Sequence, residues 1–223
     1  MKKGLTELVF ILDRSGSMSG LEKDTIGGFN SLIEKQKQQE GKARVSVVLF
    51  DDTAEVIYDR KKLKKIEPMT EEQYYVRGCT ALLDAVGGAI HHIGNLHKNM
   101  EDDKVPEKTL FIITTDGMEN ASQHYDYGQI KHMIEHQKKG YGWEFLFLGA
   151  NIDAIAEAAK FGIHSSRAVK FENDSEGQML NYEVLSKTVG AVRSCKCSEA
   201  VSDMLDEGMW QEEIRKDYSK RHK

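Results

Sequence analysis

Cysteine and proline are scarce in this chain of 223 residues. The three cysteines, Cys79, Cys195 and Cys197, form neither a disulfide framework nor a C-x-x-C pair. Reduced thiols in a reducing compartment are the simpler reading, so a cytoplasmic location is expected. The two prolines, Pro68 and Pro106, lie in no Pro-rich linker, and there is no internal repeat or low-complexity segment. No run approaches the ~18 apolar residues of a membrane span. Met1, Lys2 and Lys3 look like the start of a signal peptide, but the apolar stretch after them is interrupted by Glu7 and stops at Asp13, too short for an h-region. Neither sign of charge dominates. A total of 31 Lys and Arg against 36 Asp and Glu leaves a net charge of −5, which gives no reason to expect nucleic acid or an anionic membrane as the main partner.

What is present is a globular composition, 39% hydrophobic and 30% charged, of a length that suits one α/β domain with a modest extension. β-branched and aliphatic runs predict strands at 6–13, 43–50, 108–115 and 143–148, with a short one at 167–171. Helical periodicity predicts helices at 21–39, 81–96, 126–139, 153–161 and 176–192, the third closed by Gly140. The Asp51-Asp52 turn leads straight into 54–58, which implies a hairpin and an antiparallel edge strand. Residues 60–78 read as a charged loop with a short helix near 71–75. The alternation predicts a doubly wound, Rossmann-like, mostly parallel sheet with helices on both faces, spanning residues 1–192. Residues 193–223 form a charged tail. In it Val201, Leu205, Met209, Trp210, Ile214 and Tyr218 make a weak helical stripe, read either as an end folded onto the domain or as a docking helix.

The strand at 6–13 ends in Asp13, and Ser15 and Ser17 follow at a spacing of two. The strand at 108–115 ends in Asp116-Gly117, and Thr80 lies on a Gly-flexed loop before a helix. Carboxylates and hydroxyls at strand exits are hard oxygen ligands, suited to Mg²⁺ or Mn²⁺ rather than Zn²⁺ or Cu²⁺. With these three parts in order, the chain resembles the von Willebrand factor type A domain over roughly residues 5–192, in its bacterial intracellular form. Asp13-Arg14-Ser15-Gly16-Ser17 fits that family's D-x-S-x-S motif, Thr80 its isolated threonine and Asp116 its second aspartate. The resemblance implies a metal-ion-dependent adhesion site with Asp13, Ser15, Ser17, Thr80 and Asp116 around one Mg²⁺ or Mn²⁺, the second aspartate often acting through water. It implies a protein partner whose Asp or Glu carboxylate completes the coordination, such as an AAA+ ATPase or a stress-response assembly. Thr80 is expected on an exposed loop. The competing structural role for Ser15 or Ser17 is that of a helix N-cap.

Two other motifs compete. Gly16-Ser17-Met18-Ser19-Gly20 matches the G-x-S-x-G elbow of serine hydrolases, with Asp153 and His164 as downstream partners for Ser19. The elbow needs an oxyanion N–H from an upstream loop, and this strand is the first in the chain. His132-Met133-Ile134-Glu135-His136 matches an inverted zincin motif, but the apolar face of that helix carries Ile130, Met133 and Ile134, which turns both histidines toward water. His91, His92 and His97 are likewise assigned to the polar side of their helix. A metal-assisted hydrolase would need a base beside the ion, for which Asp84 and Glu119 are the candidates, with solvation the simpler role for Glu119. No nucleophile stands beside a base in sequence, so the chain reads as a binding module rather than an enzyme.

Overall fold

The computed structural model describes residues 1–222. Six strands form one sheet in the order β3-β2-β1-β4-β5-β6. They are β1 (Lys2–Asp13), β2 (Lys42–Phe50), β3 (Ala54–Lys62), β4 (Pro106–Thr115), β5 (Glu144–Gly149) and β6 (Ala168–Lys170). All neighbours are parallel except β2 and β3, the hairpin that makes β3 an antiparallel edge. β1 is central because its apolar run can be covered on both faces. Leu8, Phe10 and Leu12 enter the core on one face, and Val9 and Ile11 the core on the other. The first face is covered by α1 (Glu22–Lys37) and α5 (Ser175–Ser194), the second by α2 (Leu82–Lys98), α3 (Tyr127–Tyr141) and α4 (Ala154–Lys160).

Several boundaries differ from the sequence reading. α3 runs past Gly140 and is closed by Gly142, whose φ of 63° is the left-handed cap conformation. The expected helix near 71–75 is a turn, in which the N–H groups of Gln73 and Tyr74 donate to Thr70 O and the Tyr74 ring is buried. His97 is buried rather than facing water. It packs edge-on against Trp143, with Nε2 3.4 Å from the buried carboxylate of Glu7.

Residues beyond α5 form α6 (Ser198–Asp206) and α7 (Glu212–Arg221), broken at Gly208, which has a φ of 66°. Val201, Leu205 and Ile214 join the α1/α5 core. Arg167 fixes α6 by bonding Glu144, Asp206 and Ser202 at once. Met209, from the same sequence stripe, is exposed. No helix among the described residues is long and apolar enough to cross a membrane.

Candidate metal centre

β1 and β4 are neighbours, but their onward connections lead to opposite edges of the sheet. Their carboxyl ends therefore bound a crevice at the topological switch point, where open α/β sheets place ligands. Asp13 is the last residue of β1 and Asp116 the first after β4. Asp13 Oδ1 accepts the Ser15 N–H at 2.7 Å, and Oδ2 accepts the Thr115 hydroxyl at 2.6 Å. Ser15 Oγ lies 3.0 Å from Ser17 Oγ, which donates to Asp116 Oδ1 at 2.6 Å. Asn173, on the loop after β6, donates to Asp116 Oδ2 at 2.9 Å. A Cβ placed on Gly117 would stand 2.9 Å from Thr80 Oγ1 and 3.4 Å from Ser17 Oγ, so both hydroxyls close on the same point. The five residues read from three separate segments thus meet at one place. Ser15 begins a short 3-10 turn, but its side chain caps nothing.

Thr80 is 3% exposed, contrary to the exposed loop expected for it. It is enclosed because Asn120 grips its backbone from both sides, accepting its N–H at 2.9 Å and donating to its carbonyl at 3.1 Å. Asp13 and Asp116 are also buried, and among the described residues no basic side chain pairs with either. Burial pushes the Asp13 carboxyl up to about 6, against the pull of Thr115 and Ser15, and it raises Asp116 as well. Two carboxylates and three hydroxyls, with no cation among them, are the donor set that a hard divalent ion fits. Among the described residues no cluster of three or more His, Cys, Asp or Glu forms a metal site. Any ion here would therefore depend on the hydroxyls.

Contacts between residues far apart in the chain hold these loops. Arg14, between the motif's aspartate and first serine, is fully buried. Its Nε and that of Arg77 both bond Asp51 Oδ2 at 2.8 Å, and its Nη1 pairs with Glu55 at 2.7 Å. The Tyr75 ring lies 5.2 Å from both guanidinium carbons. The Asp51 carbonyl accepts the Ala81 N–H at 2.8 Å, and Asp52 accepts that of Cys79 at 2.8 Å. The turn read only as a hairpin corner thus fastens the Thr80 loop. An arginine in that motif position is the one available clue, since a cation beside a buried strand end needs a buried acid.

Glu119 is not a solvated acid. It accepts the N–H groups of Leu83, Ala121 and Ser122 and the Ser122 hydroxyl, joining the start of α2 to the loop after β4. Asp84 accepts the N–H groups of Gln123, His124 and Tyr125. Burial pushes its carboxyl up, but those three donors outweigh it and hold it below the usual range. Asp153 caps α4 and His164 pairs with Ser166, so neither bonds Ser19. His132 and His136 are exposed on α3.

No protein-family model and no curated protein matches the chain. Solved structures do. Proximal thread matrix protein 1 from the mussel byssus is 18% identical, with 88% of this chain and 48% of that one covered and a TM-score of 0.58. A further structure of that mussel protein is described with a zinc-occupied MIDAS motif, the acronym for the adhesion site named above. Von Willebrand factor type A from Catenulispora acidiphila is 14% identical, covering 82% of this chain and 42% of that one, with a TM-score of 0.54. The ArnB paralog VWA2 from Sulfolobus acidocaldarius is 18% identical, covering 83% and 45%, with a TM-score of 0.52. This chain spans under half the length of each of them.

Proposed function

Since the chain has the von Willebrand factor type A fold, we propose that it is a metal-dependent protein-interaction module, whose ion recognises a carboxylate of a partner protein. Asp13, Ser15, Ser17, Thr80 and Asp116 would hold one Mg²⁺ or Mn²⁺. The observation that carries this reading is the pair of buried carboxylates without a basic partner among the described residues, facing three hydroxyls at the switch point of the sheet. Such an arrangement is unfavourable without a cation, because each buried charge lacks a counter-charge. The bound ion supplies positive charge that two carboxylates at most neutralise. An octahedral ion that keeps exchangeable waters then leaves a place for an outside carboxylate. The zinc of the mussel protein belongs to that protein. The oxygen-only donors here are those that Mg²⁺ and Mn²⁺ favour.

Titration calorimetry and Mn²⁺ paramagnetic relaxation are expected to give one ion per chain for the wild type and none for Asp13→Ala. Equal binding by the two proteins would remove this site. Partner capture from a lysate is expected to require a divalent ion, to fall in EDTA, and to fall again when one partner acid is changed to its amide. Capture that persists undiminished in EDTA would show that the ion does not mediate it.

Gly117 gives a sharper test. Its φ is not positive, so alanine is not strained there, and the added methyl meets the two hydroxyls rather than backbone. Gly117→Ala is expected to weaken Mn²⁺ binding tenfold or more, while its melting temperature stays close to wild type. Thr80→Ala should behave alike, because its hydroxyl makes no hydrogen bond among the described residues. A large loss of stability in either variant would mark the position as structural.

A further inference from the structure

The modest net charge conceals a segregation. At the opposite end of the sheet from the metal centre, a cleft of about 620 Å³ opens where β1 and β2 begin and β3 ends. It is lined by Lys2, Lys42, Arg44, Lys62, Lys64 and Arg193, and by no aspartate or glutamate. None of these six cations makes an ion pair among the described residues, whereas Lys37 at the same cleft is paired with Glu34. The register sets Arg44 directly opposite Lys62, a like-charge cross-strand pair that destabilises a sheet unless an anion lies between. Arg193 is 8% exposed. Its Nη groups bond backbone carbonyls of residues 36–41, while its shielded Nε has no hydrogen-bond partner. Leu5, Ala43 and Leu63 supply apolar floor.

We infer that this cleft binds a soluble, phosphate-bearing organic anion of nucleotide size. Four exposed lysines without an ion pair among the described residues, flanked by Arg44 and Arg193 on backbone carbonyls, call for several negative charges, and cations converging on a concavity focus the field within it. The volume is that of a small-molecule site, and the apolar floor suits the part of the ligand that is not phosphate. A nucleic-acid backbone or a membrane would meet an extended basic stripe or face rather than one bounded cleft. β1 separates the two sites by roughly 36 Å at about 3.3 Å per residue, so the anion does not compete at the metal centre.

The test is calorimetry at low ionic strength in EDTA on the full chain, with ATP and inorganic tripolyphosphate as probes. ATP is expected to bind the wild type and Asp13→Ala equally, and tripolyphosphate more weakly because it leaves the apolar floor uncovered. The Lys42→Gln, Lys62→Gln double variant, altered only at exposed side chains, is expected to lose at least tenfold in ATP affinity and to keep its melting temperature without anion. No ATP binding, or equal affinity in the double variant, would overturn the site. Equal affinity for the two probes would overturn the organic part of the ligand. Capture by phosphatidylglycerol vesicles without ATP binding would replace the soluble anion with a membrane surface.

Discussion

Asp13→Asn is expected to abolish metal binding and yet make the metal-free protein more stable at neutral pH. Asp13 is 1% exposed, and burial lifts its carboxyl from 3.8 to about 6. A folded-state value above the unfolded one means that the folded protein binds the extra proton. That stabilisation is fully present below pH 3.8 and is lost as the pH rises through about 6. At pH 7 the ionised carboxylate therefore costs about 3 kcal/mol in the absence of an ion. The amide avoids that cost. Its NH₂ can donate to Thr115 Oγ1, whose hydroxyl then turns to the Gly117 carbonyl 3.1 Å away. In EDTA, the variant's advantage over wild type should grow between about pH 4 and pH 6 and level off above. Mg²⁺ should raise the wild-type melting temperature and leave the variant unmoved. A variant less stable than wild type at pH 7 would show that the carboxylate is held by something other than a missing cation.

Asp51→Ala is expected to have the largest effect on stability of any change outside the apolar core. It removes an acid that is 1% exposed and shared by Arg14 and Arg77, leaving the fully buried Arg14 with the half-exposed Glu55 as its one remaining acid among the described residues, beside the Gln73 carbonyl at 3.4 Å. Breaking one side of a buried pair typically costs about 3–5 kcal/mol. Because the same turn bonds Ala81 and Cys79, the damage should spread to the Thr80 loop and weaken Mn²⁺ binding. Asp51→Asn keeps one acceptor oxygen, which can take both guanidinium Nε donors, but turns an NH₂ toward the Thr53 N–H, and should fall between wild type and alanine. Thermal melts and Mn²⁺ relaxation measured side by side decide the matter. An unchanged melt would mean that Glu55 and the Gln73 carbonyl satisfy Arg14 without Asp51.

Much of the architecture was legible because it is written locally. The runs of β1 and β4 show in their residue types, and the strand-exit position of Asp13 and Asp116 follows from where those runs stop. The hairpin into β3 was legible from two adjacent aspartates. What stayed hidden depends on residues far apart in the chain. Asn173 reaches Asp116 from 57 residues away, Glu119 reaches Leu83 from 36, and Arg14 reaches Asp51 from 37. No periodicity encodes such contacts. The burial of Thr80 and of His97 was missed for the same reason, since a helix face or loop type says nothing of what a distant element lays over it.

The pairing of α1 with α5 also sets a clock. Phe29, Leu32 and Ile33 of α1 lie in the core beneath α5, and Gln36 bonds the Ser186 carbonyl across 150 residues. A ribosome adding about 5–20 residues per second needs roughly 7–28 seconds to pass from the end of α1 to the start of α5. For that interval the helix has its apolar stripe made but its cover not yet synthesised. Chaperone binding to nascent chains of this protein should therefore concentrate on lengths that end before α5, and should decline once that helix has cleared the exit tunnel.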